Sequence, residues 1–375
     1  MVRNVKKLIF FILAVMLMTT CCLADSDLDS LYEQFGVDEL IESVPEQATD
    51  LAEEIGLGEL SVGEILSLSP SQFWRLLKRQ FFIAAKELKR ELFSVLAAVL
   101  LASVVSAASQ QERLTAVFKL ICVLIVTSLL CRPVIDQMAN CCEAIRGVSL
   151  FMLSYIPVFA ASSAASGAVM SAAAYQLPVM AAAQLISQLS NSFFLPLMQS
   201  YMLLALACSI GENKGLKSLA ETLKKLINWS LALITTAFSG LLSLQSIFSH
   251  AADGAAAKTT KFLVGSFVPV IGSALSDAVS AMQGSLRVIK AGLGSFGILA
   301  VLLSFIAPLM GVLALRAVIW LAQTAAQFLS AGEIEGILAG FSNIMSIMQA
   351  LLLSVMTVML ISTAIMLSLG GGTAL

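Results

Sequence analysis

Hydrophobic positions dominate this chain, and charge is confined to a few short stretches between them. Leu92 to Gln111 is uncharged, and Leu114 to Cys131 is interrupted only by Lys119 near its start. Residues 147 to 211 carry no charge in 65 positions, which is enough for three crossings of a bilayer at about 20 residues each. Further apolar stretches follow at 226–249, 262–283, 292–315 and 341–369. The stretch 317–330 is apolar but short, and re-enters or lies flat. The pattern predicts an all-α, polytopic helical membrane protein with about eight transmembrane spans (seven to nine). Charged stretches between spans, such as Arg132, Asp136, Glu143 and Arg146, are expected to be loops. Pro157, Pro178 and Pro196, at near-regular intervals in an Ala- and Ser-rich background, favour tightly packed or broken helices there.

The periodicity differs before residue 92. "DSDLDSLYEQFG" places Leu28, Leu31 and Phe35 on one helical face and stops at Gly36, and "ATDLAEEIGLG" repeats this on a smaller scale. Ser69 and Pro70 then make a good N-cap and first-turn pair for a longer helix. Phe73, Trp74, Leu77, Phe81, Ala84, Ala85, Leu88 and Leu92 recur at helical spacing, with Arg75, Lys78, Arg79, Lys86, Lys89 and Arg90 on the other faces. This basic amphipathic helix either lies in a membrane interface or packs on the rest of the protein. The first 24 residues have the form of a secretory signal: Arg3, Lys6 and Lys7, an apolar run from Leu8 to Met18, and a small-x-small site at Cys22-Leu23-Ala24. An uncleaved first anchor is the alternative. A lipoprotein reading through Cys21 or Cys22 is weaker, because Thr20 stands where Gly or Ala is usual.

The expected organisation is therefore a signal peptide at 1–24, a short acidic extracytoplasmic helical segment at 25–70, the basic interfacial helix at 71–91, and a transmembrane domain at 92–375. Composition agrees, with 58% hydrophobic and 12% charged residues where soluble domains carry about a quarter charged. Residues 25 to 70 hold 13 of the 24 acidic residues and no Lys or Arg, so the net charge of −2 averages two unlike regions. Two crossings separate the basic stretches 211–225 (Lys214, Lys217, Lys224, Lys225) and 284–291 (Arg287, Lys290). Both are therefore expected on the cytoplasmic side. The signal puts the cations of 71–91 outside, against the positive-inside tendency.

Little in the chain points to catalysis. Gly292, Gly294 and Gly297 form a G-x-G-x-x-G, but a dinucleotide fold needs a strand before it and a carboxylate about 20 residues on. Here the 25 residues between Lys290 and Arg316 are uncharged and the next carboxylate is Glu333, so the glycines are expected to let helices approach closely. The seven cysteines include the vicinal Cys141-Cys142 but no C-x-x-C, and the single His250 completes no zinc cluster or triad. No metal, cofactor or nucleic acid is expected, and no enzyme activity. Asp277 is the one carboxylate well inside an apolar stretch; it is an ion or proton site, a helix-pairing group, or a residue near the interface.

The stretch 226–297 resembles the stage III sporulation protein AE family of endospore-forming Firmicutes. The resemblance rests on Phe238 to Gln245 (F-S-G-L-L-S-L-Q), Ala252-Asp253-Gly254, Lys258 and Lys261-Phe262. It continues through Phe267-Val268-Pro269-Val270 and Gly272-Ser273-Ala274-Leu275-Ser276-Asp277. It implies a multi-pass subunit of the mother-cell (outer forespore) membrane, in the complex that joins mother cell and forespore during engulfment. Other proteins of the stage III sporulation A operon and a forespore-membrane protein would be its partners, beside the lipid bilayer and further copies of itself. That complex looks like relatives of secretion systems and supports late forespore gene expression. Asp253, Gly254, Lys258, Lys261, Pro269, Gly272 and Asp277 are the expected centre of assembly and function, as a loop and the span after it. The alternative is a secondary transporter whose site lies near Asp277 among Pro-broken helices.

Overall fold

The computed structural model describes residues 37–54, 70–108, 112–210, 214–267, 272–329 and 331–368, and among these every element is helical. The signal region, Pro269 and the stretch 55–69 lie outside the described residues. Two short helices come first, α1 (Val37–Glu42) and α2 (Glu46–Glu54). The basic amphipathic stretch is α3 (Pro70–Glu87), separated from α4 (Lys89–Ala108) only by a turn at Leu88. Then come α5 (Glu112–Ala165), α6 (Val169–Leu189), a π turn (Ser190–Phe194) and α7 (Leu195–Ile210). The last three are α8 (Lys214–Phe267), α9 (Gly272–Phe328) and α10 (Gly332–Ser368).

Helix length is the main departure from expectation. α5 and α8 each run 54 residues and α9 runs 57, about 80 Å at 1.5 Å per residue, where a bilayer core is about 30 Å thick. Among the described residues, five helical stretches are long and apolar enough to cross a membrane: Leu120–Ala165, Val169–Cys208, Gly215–Gln245, Leu286–Phe328 and Ile334–Ser368. The chain is a multi-pass membrane protein, and its described helices are longer than single spans of about 20 residues. The charged stretch 132–146 is helix rather than loop because its apolar residues keep helical spacing. Val134, Met138, Cys141, Ile145 and Val148 form one buried stripe, while Arg132, Asp136, Glu143 and Arg146 are exposed. Arg132 and Asp136 pair at i,i+4 across 3.8 Å. Pro133, Pro157, Pro178 and Pro308 lie inside continuous helices, whereas Pro196 stands in the first turn of α7, directly after the π turn.

The turn between α5 and α6 shows why that helix stops where it does. Gly167 takes φ of 99°, a left-handed conformation that a side chain would strain. The Gly167 amide donates to Ala164 O and the Ala168 amide to Ser163 O, each at 3.0 Å, the bond pattern of a Schellman stop.

The core runs along α9, which is mostly buried and packs against α2, α3, α4, α5, α8 and α10. Cross-helix contacts fix the directions. Tyr155 of α5 meets Leu293 of α9 and Gln137 meets Pro308, so these two run antiparallel. Arg316 and Leu293's neighbour Gly294 meet Gln349 and Leu367 of α10, again antiparallel. The ends of α4, α7 and α9 therefore share one end of the bundle with the starts of α5, α8 and α10. The α5–α6 turn and the end of α10 mark the other.

Candidate functional site: the packing core and its polar ties

The glycine triplet Gly292, Gly294 and Gly297 lies buried within α9, with no strand or turn beside it. A Cβ at Gly297 would overlap the ring of Tyr155, and one at Gly294 would overlap Leu367. The missing side chains let α5 and α10 close on α9, as the sequence pattern implied. Opposite them, α5 presents Phe151, Tyr155 and Phe159 at successive i,i+4 positions. Phe151 and Tyr155 stack at 5.5 Å, Tyr155 and Phe159 sit tilted at 5.5 Å, and Phe151 meets Phe296 at 6.1 Å. The Tyr155 hydroxyl donates to Leu293 O at 3.2 Å, which satisfies a polar group in a site water does not reach. Lys290, only 4% exposed, holds its ammonium 5.8 Å from the Phe159 ring.

A second tie joins the same helices higher up. Gly311 leaves room for the Gln137 amide, whose Nε2 donates to Pro308 O at 3.0 Å. Further polar groups join the remaining helices. Tyr175 of α6 donates to Leu242 O of α8 at 2.6 Å, and Gln245 of α8 returns a bond to Ala174 O. Lys224 of α8 donates to Asn343 of α10 at 2.7 Å, and Arg316 of α9 to Gln349 of α10. Sequence reading missed these. The signal available was a polar side chain within an apolar run, which in a membrane bundle finds a partner on a neighbouring helix.

The expected site residues are spread along two helices. Asp253, Gly254, Lys258 and Lys261 lie on helical backbone near the end of α8, so the expected loop there is helix. Ala spacing and the absence of Pro between residues 226 and 267 give that helix nothing to stop it. Gly272 opens α9 and Asp277 lies in its second turn. The side chains of these residues and Pro269 lie outside the described residues.

In α3, Leu76 is buried and Phe73, Leu77 and Phe81 pack beside it on the core, so this helix is docked on α9. Trp74, Arg75, Lys78, Arg79 and Lys86 point outward, as do Lys89 and Arg90 at the start of α4. Lys78 sits 5.6 Å over the Trp74 ring. Among the described residues, no group of three His, Cys, Asp or Glu is placed to hold a metal ion.

A family model described as stage III sporulation protein AE (spore_III_AE) matches residues 56–370, which takes in every long helix of the bundle. The chain belongs to the stage III sporulation protein AE family. It is 28% identical over 192 residues to stage III sporulation protein AE of Bacillus subtilis (strain 168). That alignment covers 51% of this chain and 48% of the relative, so the match spans about half the length of each. No solved structure matches the chain. The run Phe238 to Gln245, part of the resemblance, is where Leu242 and Gln245 join α8 to α6. In this family member, that motif carries helix packing.

Proposed function

We propose that this protein is a membrane subunit of the channel-like, secretion-like complex that joins mother cell and forespore during sporulation and supports late forespore gene expression. Family membership over residues 56–370 carries the reading. The architecture supports it: long helices tied by small residues and single polar bonds suit a scaffold that presents extended surfaces to other subunits. The protein acts in the mother-cell (outer forespore) membrane, with the other stage III sporulation A-operon proteins and a forespore-membrane protein as partners. The residues Asp253 to Asp277, with the turn between α8 and α9, are its centre for assembly. A secondary transporter with its site near Asp277 is the second reading; Pro157, Pro178 and Pro308 lie inside continuous helices, and Pro196 follows the π turn.

The test is recovery of a tagged chain from sporulating cells after cross-linking. Co-purification of the operon's other membrane proteins in fixed ratio is expected. A chain recovered alone, in cells whose sporulation needs it, would overturn the reading.

A further inference from the structure

The two sides of the bundle disagree about where lipid lies. On α8, Lys217, Glu221 and Lys225 are exposed, and after them the exposed residues up to Ile247 are uncharged and mostly apolar, with Leu226, Trp229, Leu233, Leu241, Leu244 and Ile247 among them and Asn228, Thr236 and Ser243 the polar ones. That face, 22 residues and about 33 Å long, matches a bilayer core, with the charged turns at its surface. On α5 the order along the same axis is inverted. Leu120, Ile121, Leu124 and Ile125 expose apolar side chains at the level of the α8 lysines, and below them Arg132 is 91% and Asp136 66% exposed.

The registration follows from the ties already described. Gln137 meets Pro308 on α9; eight residues on, Arg316 meets Gln349 on α10, and next to Gln349 on that helix Leu351 and Val355 line one small apolar cleft with Leu231 and Thr235 of α8. Arg132 and Asp136 thus stand at the depth of Trp229 and Leu233. Both helices pack on α10 and make no extended contact with each other, so they present separate sides. If α8 faces lipid, the α5 side exposes charge at bilayer depth, which is unfavourable unless protein or water covers it. The same placement lifts the apolar α4–α5 hairpin, with Phe93, Leu101, Phe118, Ile121 and Leu124, beyond the bilayer, where it too needs cover.

We propose that a second copy of this chain covers the whole side formed by α1 to α5. A twofold axis along the membrane normal sets apolar hairpin against apolar hairpin and charged surface against charged surface, because equal depths meet. The charged part is complementary. Glu39, Glu42, Glu46, Asp50 and Glu53 are exposed on α1 and α2, while Arg75, Lys78, Lys86, Lys89 and Arg90 are exposed on α3 and the start of α4. Acids of one copy meet cations of the other, an arrangement that fixes partner orientation. The proposal rests on the membrane reading of α8, and its test checks that reading separately.

The full chain, produced alone in a bacterium that does not sporulate, carries benzoylphenylalanine in place of Phe93, Phe118 or Trp229. Irradiation of membranes should give covalent dimers from the Phe93 and Phe118 positions, and lipid adducts without dimers from Trp229. Reversing Lys78→Glu with Lys86→Glu should cut dimer yield severalfold, as should Glu46→Lys with Asp50→Lys, and combining the four should restore it. Lipid adducts without dimers at Phe93 and Phe118 would overturn the proposal and favour a strongly tilted bundle with both apolar faces in lipid. Dimer yield unmoved by either reversal would overturn the acid-to-cation pairing. Dimers from Trp229 with no lipid adducts would overturn the assignment of α8 to lipid and the proposal with it. None of these outcomes depends on the other sporulation proteins.

Discussion

Gly297 and Tyr155 are matched to each other, and the match is testable as a pair. Adding a methyl group at Gly297 forces the Tyr155 ring aside or spreads α5 from α9, and overpacking of this kind costs about 1–3 kcal/mol. Gly297→Ala should therefore lower the unfolding temperature of the detergent-solubilised protein, and Tyr155→Leu in the same chain should recover part of the loss. Gly240, with nothing within 4 Å of its missing Cβ, is the control, and Gly240→Ala should leave stability unchanged or raise it. An equal loss at both glycines would show that helix propensity rather than packing is at stake. The glycine spacing was readable as a close-packing device from sequence, because the missing carboxylate ruled against a nucleotide turn. Its partners were not, since nothing local says that Gly297 meets Tyr155, 142 positions earlier. Asp277 calls for a different measurement. If it pairs helices, Asp277→Ala should reduce recovery of the complex from sporulating cells, and Asp277→Asn should keep most of it, because an amide still bonds across helices. Full recovery with complete loss of sporulation in both variants would instead point to an ion-coupled site.

At the scale of the element, α3 separates two roles that the sequence left open together. Its basic, amphipathic character was plain from residue spacing, whereas its docking was not, because a membrane surface and a protein surface select the same apolar stripe. The structure buries Leu76 and leaves Trp74 52% exposed. Leu76→Ala should cost about 2–5 kcal/mol if the site cannot collapse, and should speed tryptic cleavage at Arg75, Lys78 and Arg79 in the folded protein. Trp74→Ala should leave cleavage unchanged, since it removes an exposed ring and its contact with Lys78. Equal sensitivity at both positions would argue against docking through Leu76. The same ambiguity explains the misjudged stretch 132–146. Four charges in fifteen residues suggested a loop, but the stripe from Val134 to Val148 kept the period of a helix. Charge marked one face of that helix, and hydrophobic period was the better guide to its continuity.

Across the whole molecule, helix length decides which segments share a side of the membrane. An even number of crossings between the basic stretches 211–225 and 284–291 would place both in the cytoplasm, and apolar runs at 226–249 and 262–283 suggested two. The structure carries α8 without a break to Phe267 and resumes at Gly272, so the whole run 226–249 and the start of the run 262–283 belong to one long helix, with the pair Tyr175–Leu242 midway along it. Lys224 sits beside Asn343 and Gly294 beside Leu367 on the same helix α10. Those two levels differ by 24 residues, or about 36 Å at 1.5 Å per residue, which exceeds a bilayer core. The two basic segments are therefore expected on opposite sides of the membrane. Four lysines at 214, 217, 224 and 225 outweigh Arg287 and Lys290, and positive charge is retained in the cytoplasm, so the start of α8 is expected to face inward. With that orientation the end of α8, which carries Asp253 to Lys261, is expected on the outer side of the membrane. Lys225→Cys and Arg287→Cys, each alone in a cysteine-free chain, test this with a membrane-impermeant maleimide on intact cells. Both positions are exposed in the fold. Labelling is expected at Arg287→Cys in intact cells and at Lys225→Cys only after lysis. Protection of both until lysis would restore two crossings between them, against the single crossing that the length of α8 implies.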